Sequence, residues 1–305
     1  MNLFIVISFF ISMLACLGWV YYFWKLDKYE QEPFHLLLIT FVFGAFLTLI
    51  ASFFEELGLE FFGLSIDDVI QNPFNSNLLL FFLYLVVVVG IVEEFVKLIP
   101  VRFYAFKQIN EPIDGLIYAS ATAAGFAFVE DLLYIYYGFK AGFVEGIFIT
   151  WVRILTSPVH ILFASYWGIA LGLYKQNPAR KSDVIKGFFV AAFLHGLYDF
   201  FAFLGEIGSI GAAAVILVTI ILLMKKVSFL LRISPFNNLN YFISCKYCNG
   251  LFPAKAQYCI NCGKSTYWVE KENKIQLKYF CGNCKSRLNF GQNYCTSCGM
   301  KIHWK

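Results

Sequence analysis

Charge is scarce in this 305-residue chain: 14% of residues are Asp, Glu, Lys or Arg, against 59% hydrophobic. So little charge excludes a soluble domain with an ordinary solvated surface. The net charge of +4 is small and the basic residues are dispersed among short loops, which speaks against a nucleic-acid surface. Histidine is rarer still, with four in the whole chain, and no HExxH pair offers a ready zinc site on one helical turn. Cysteine is nearly missing before residue 245, where Cys16 stands alone and reads as a small apolar filler. No basic stretch precedes the apolar run 3–24 and no small-residue cleavage pattern follows it, so it reads as a first transmembrane helix rather than a signal peptide.

What is present is a series of apolar runs of membrane length. After 3–24, spans are expected at about 34–54, 78–100, 114–137, 154–174, 184–204 and 207–224. Residues 138–153 fit either an interfacial or re-entrant segment or an eighth span. The fold class is therefore an all-α polytopic membrane protein of seven to eight transmembrane helices, followed by a small β-rich double zinc-ribbon module. The expected division is 1–232 membrane domain, 233–242 linker and 243–305 module. Lys25 and Lys28, Arg102 and Lys107, Lys175 to Lys186, and Lys225 to Arg232 fall in alternate loops. They predict a multi-pass protein of the cell membrane with its N-terminus outside and its C-terminus cytoplasmic.

Polar groups inside these spans stand out because a charge at the bilayer centre costs at least about 2.5–3.5 kcal/mol. Glu93-Glu94-Phe95-Val96-Lys97 interrupts an apolar run, with Glu93 and Lys97 on one helix face and Glu94 about 100° away. Further on come Glu130 and Asp131, then His160 just after Pro158, then His195 and Asp199 four residues apart. Two of the four histidines thus fall among these polar groups. Acids and imidazoles are the groups that activate water or bind a borderline metal. Asp131 is expected to pair with a base such as Arg153, and Asp114 and Arg102 to be boundary charges. Gly115, Gly125, Gly168 and Gly172 read as close-packing positions.

These motifs, Glu93-Glu94-x2-Lys97, Phe126-x3-Glu130, His160…Gly168 and His195-x3-Asp199, resemble in order the PrsW family of intramembrane proteases, related to the CAAX prenyl endopeptidases. The resemblance covers about residues 20–205. It implies hydrolysis of a peptide bond of a membrane protein substrate within or beside the bilayer, and for PrsW itself a part in trimming anti-sigma factors. It implies that Glu93 and Glu94 supply the general base and its partner, with Glu130, His160, His195 and Asp199 completing the site. Glutamate-type and metal-type mechanisms both stay open. The metal version would use His160, His195 and one or two of Glu94, Glu130 and Asp199.

Eight cysteines close the chain as Cys245-x2-Cys248-x10-Cys259-x2-Cys262 and, 36 residues on, Cys281-x2-Cys284-x10-Cys295-x2-Cys298. Paired CxxC knuckles present thiolates to tetrahedral zinc, and a Gly or a small polar residue after the knuckle frees the turn. Two structural zinc ions are expected, the ligands pairing within each repeat or interleaved, with His303 a surface residue. Tyr267-Trp268-Val269 and Lys278-Tyr279-Phe280 are expected as short strands. Such a module would bind a cytoplasmic protein partner; nucleic acid is not expected. Two other classes compete with an endopeptidase: a non-catalytic receptor or scaffold, and a transporter using Glu93, Glu130 and His195 as a proton path. The membrane region shows no duplicated halves of the kind many transporters carry.

Overall fold

The computed structural model describes residues 2–65, 77–176, 181–234, 236, 241–254, 256, 258–300 and 302. Among them, seven helical segments are long and apolar enough to cross a membrane. Helices α1 (Asn2–Leu26) and α2 (Phe34–Phe62) come first; Gly63, in the left-handed region at φ 61°, ends α2. Helix α3 (Leu78–Phe103) starts at Asn77, whose side chain accepts the Leu80 N–H at 3.1 Å. Then follow α4 (Asp114–Ala141), α5 (Phe143–Thr156), α6 (Pro158–Gln176), α7 (Lys181–Phe203) and α8 (Gly205–Ile233).

The ambiguous stretch 138–153 becomes the end of α4 plus most of α5. At 14 residues α5 is about 21 Å long, too short to span alone. It runs into α6 through a joint at Ser157, where Pro158 opens the new helix at a position that needs no amide donor. No eighth span exists among the described residues.

Helix α4 is the centre of the bundle and touches α1, α2, α3, α5 and α6. Every residue from Asp114 to Ala127 is buried, many of them Ala, Gly, Ser or Thr, so neighbouring backbones can approach closely. The glycine expectations hold in this sense. A side chain at Gly115 would meet the backbone of Gly168 and Gly172, and one at Gly125 would meet the Phe41 carbonyl. Asp114 departs from expectation: it is fully buried, not a solvated boundary charge.

Helix α3 contains a π-helical stretch, Leu85–Gly90, just ahead of Glu93. There it packs backbone to backbone on α7. A side chain at Gly90 would run into the Ala192 carbonyl, and one at Gly196 would lie 2.6 Å from the Leu85 carbonyl oxygen. This close crossing brings the paired glutamates to His195.

The C-terminal part is one four-stranded antiparallel sheet of order β2-β1-β3-β4, with β1 Tyr241–Ser244, β2 Leu251–Pro253, β3 Tyr279–Cys281 and β4 Arg287–Leu288. Phe252, Tyr279 and Leu288 fill its small core together with four cysteines. The strand expected around Tyr279 is present. Trp268, however, opens a four-residue helical turn, α9 (Trp268–Lys271), and no strand forms there. His303 lies outside the described residues, as does half of the expected linker, 233–242; β1 begins within the linker's last two positions.

Candidate active site

Lys97 organises the buried charge. Its ammonium lies 3.0 Å from Glu93 Oε2 and 3.0 Å from Glu94 Oε1, and 4.3 Å from the centre of the Phe126 ring. The expectation that Glu94 points away from Lys97 therefore fails. At three residues' spacing the lysine reaches both acids, because each side chain leans over the same turn. Lys97 Nζ is also 3.2 Å from Nδ1 of His160. An ammonium only donates, so Nδ1 is the acceptor and Nε2 carries the His160 proton.

The two glutamates differ in what they face. Glu94 is fully buried and its oxygens are taken: Oε2 accepts the Trp167 indole N–H at 2.8 Å, while Oε1 faces Lys97 and, at 3.0 Å, Nδ1 of His195. Glu93 lines a cavity of about 280 Å³ together with Glu55, Glu130, Arg153, His160, His195 and Asp199. Its Oε2 lies 3.5 Å from His195 Nε2 and 3.7 Å from His160 Nδ1. The two imidazole rings stand edge to face, 5.2 Å apart.

The remaining expected residues converge on the same place. Glu130 Oε2 is 2.9 Å from His160 Nε2 and 3.3 Å from Arg153 Nη2. Asp199 Oδ2 is 3.6 Å from His195 Nε2, one turn along α7. Asp131 pairs with Arg153 as expected, at 2.7 Å, and also accepts from Ser12 and Ser157, which ties α1 and the α5–α6 joint to α4. Four separate helices, α3, α4, α6 and α7, thus supply the six predicted side chains to one pocket or its immediate support.

Sequence reasoning missed Glu55, Trp167 and the bridging role of Arg153. Glu55 lay one residue beyond the expected end of the second span, and its neighbour Glu56 made the pair look like a loop. The helix continues to Phe62, which places Glu55 on the cavity wall. Trp167 carried no signal beyond being a tryptophan in an apolar run.

Chemically, the cavity holds a carboxylate and two imidazoles whose far sides are held by other polar groups. Ligand atoms of Glu93, His160 and His195 lie within 4.8 Å of one another, a carboxylate-plus-two-imidazole set that suits one metal ion with a position left for water or substrate. The donor set fits a metal.

The cysteines form two groups, Cys245, Cys248, Cys259 and Cys262, and Cys281, Cys284, Cys295 and Cys298; the ligands pair within each repeat. Sulfur separations of 3.8 and 3.7 Å in one group and 3.6 and 3.5 Å in the other rule out disulfides. They match the edge of about 3.8 Å expected for a thiolate tetrahedron with metal–sulfur bonds of ~2.3 Å. Each CxxC is followed by a residue in the left-handed region: Asn249, Gly263, Lys285 and Gly299. Both groups could hold a metal ion.

Seven apolar helices around a buried glutamate–histidine pocket define a multi-pass membrane protein with a hydrolase-type centre. A family profile described as "PrsW family intramembrane metalloprotease" matches residues 32–224. Protease PrsW of Geobacillus kaustophilus is 29% identical over 183 residues, covering 58% of this chain and 72% of the relative. Protease PrsW of Clostridioides difficile is 30% identical over 185 residues, covering 57% and 70%, and that of Bacillus subtilis 27% over 184, covering 59% and 75%. No solved structure matches the chain. The chain belongs to the PrsW family and is an intramembrane protease.

Proposed function

We propose that the pocket hydrolyses a peptide bond of a membrane protein substrate, with Glu93 removing a proton from the attacking water. The observation that carries this reading is that Glu93, and not Glu94, faces the cavity, within 3.5 to 3.7 Å of both intramembrane histidines. His195, whose Nε2 faces Glu93, helps hold the water there with His160 on the other side, and the proton that Glu93 accepts passes to the amine nitrogen as the C–N bond breaks. Glu94 is a positioning residue: with its oxygens occupied by Trp167, Lys97 and His195, it fixes the His195 ring. Asp199 and Glu130 complete the polar wall behind the two histidines, and Arg153 neutralises Glu130. Lys97 offsets the charge of the paired glutamates.

Glu93, His160 and His195 are also the residues that would hold a catalytic metal, which when bound would polarise the substrate carbonyl and acidify water. Exhaustive chelation separates the two versions: peptide cleavage that survives it removes the metal one.

The cysteine groups are proposed as two structural zinc sites in a cytoplasmic module of residues 243–305, available to a protein partner. The N-terminus then lies outside. Trimming of an anti-sigma factor is the substrate class that the family resemblance suggests.

The test is cleavage of a panel of single-span membrane proteins by the purified chain in nanodiscs, with product ends read by mass spectrometry. Cuts within or at the edge of the span that disappear in Glu93→Gln support the reading. Absence of cuts by the wild type across the panel favours the scaffold alternative.

A further inference from the structure

A second group of buried carboxylates lies away from the cavity, where the segment between α1 and α2 meets the segment ahead of α4. Asp27, Glu111 and Asp114 are each fully buried and place carboxylate oxygens within 4.8 Å of one another. Glu32, 3% exposed, lies beside them.

The hydrogen bonding of this group is one-sided. Asp114 Oδ2 accepts the backbone N–H groups of Asn110 and Glu111 at 2.7 and 2.8 Å. Asp27 Oδ1 accepts those of Tyr29 and Glu30 at 3.3 and 3.2 Å, and Glu32 Oε2 accepts the Tyr118 hydroxyl. In each case the other oxygen, Asp114 Oδ1, Asp27 Oδ2 or Glu32 Oε1, is buried without a hydrogen bond. Neither Glu111 oxygen makes a well-formed hydrogen bond, although the Ser234 hydroxyl and the Asp27 carboxyl are within reach. Three acids are thus fixed by one oxygen and offer the other, while a fourth offers both. Lys285 acts on Glu30 at the edge of this group, and the ion pairs of Lys97 and Arg153 lie elsewhere.

Buried carboxylates in contact repel one another and cost several kcal/mol each to desolvate. Neutral acids can relieve part of this by sharing protons, as Glu111 can with Asp27, but a divalent cation relieves it for the whole group. Oxygen-only ligands without thiolate or imidazole select a hard ion. Oxygens bound to one calcium at 2.3–2.6 Å are at most about 5 Å apart, which the three acids satisfy. We propose that Asp27, Glu111 and Asp114, with Glu32 beside them, bind a hard divalent cation of the calcium or magnesium kind, clamping the α1–α2 connection to the start of α4. A carboxylate-rich cage that needs no ordered water suits calcium better than magnesium, which keeps several of its own waters. Burial also pushes the Glu111 carboxyl up to about 9, against the pull of the nearby Ser234 hydroxyl, and Glu32 up to about 7. A divalent ion would reverse that by stabilising the anions.

The test uses Tb³⁺ as a luminescent probe on the full chain in nanodiscs. The Trp24 indole donates to the Glu32 backbone carbonyl at 2.7 Å, so it sits where it can sensitise an ion held here. The expected result is saturable tryptophan-excited emission that Ca²⁺ displaces, and Mg²⁺ displaces less well. Glu111→Gln should weaken Tb³⁺ binding more than about 10-fold, because a first ligand matters at least as much as the residues that orient one. The amide keeps the size of the Glu111 side chain and can still accept from the Ser234 hydroxyl, and Asp27→Asn is the second variant should it not fold. Trp24→Phe should dim the emission, and Glu93→Gln should leave it as in the wild type. Emission that neither Ca²⁺ nor Mg²⁺ displaces, that persists in both acid variants, or that vanishes in Glu93→Gln overturns the proposal. This outcome is independent of whether the cavity cleaves peptides.

Discussion

Nδ1 of His195 lies 3.0 Å from Oε1 of Glu94. Because that carboxylate already accepts from Lys97 and Trp167, the imidazole must be the donor, and its lone pair is left on Nε2 facing Glu93. A glutamate outside the cavity therefore sets the state of a histidine inside it.

Glu94→Gln is expected to lower kcat about 10- to 100-fold with KM nearly unchanged, the range seen when a group that orients a ligand is lost. Steady-state cleavage of one membrane substrate checks it. A wild-type kcat in a folded variant would show that His195 needs no such support.

Lys97 is enclosed, with its ammonium between two buried acids. Removing one partner of a buried ion pair typically costs about 3–5 kcal/mol. Lys97→Met should lower the thermal unfolding midpoint in nanodiscs accordingly, and adding Glu94→Gln should recover part of the loss. A double variant no more stable than Lys97→Met would mean the two residues are not energetically coupled.

How much of this was legible beforehand depended on whether a residue's signal was local. Spans are long apolar runs, and the knuckle spacings repeat, so seven helices and two cysteine groups could be read directly. Glu93, Glu130, His160, His195 and Asp199 were visible because charge inside a span is rare. What distinguishes Glu93 from Glu94 is tertiary: Trp167 sits 73 positions away and His195 101 positions away from Glu94. Trp268 read as a strand residue by its neighbours, but its ring packs against Phe252 from a helical turn. Asp114 looked like a boundary charge because nothing local shows that Asp27 and Glu111 close over it.

The α3–α7 crossing depends on Gly90 and Gly196, where any side chain meets opposing backbone. Gly90→Ala and Gly196→Ala should each keep a helical circular dichroism spectrum yet reduce cleavage about 100-fold, since a shift of about 1 Å between reacting groups is enough for that loss. Full activity in either variant would mean the crossing is looser than the structure shows.

The wild-type chain should carry two zinc ions in its cysteine groups by elemental analysis. Cys245→Ser and Cys281→Ser should each lose one equivalent, from different groups. A third equivalent that disappears in His195→Ala would mark the metal version of the catalytic centre, whereas a total that stays at two in that variant and in the wild type would favour the glutamate version.

The central claim is that Glu93, His160 and His195, from three helices, act as one chemical unit. Groups that act together lose activity non-additively. The deciding measurement is kcat/KM for Glu93→Gln, His160→Gln, His195→Gln and the triple variant on one membrane substrate, each first shown to be folded. The account predicts that every single variant falls at least about 100-fold and that the triple variant is little worse than the weakest of them. A folded single variant that cleaves at the wild-type rate contradicts it.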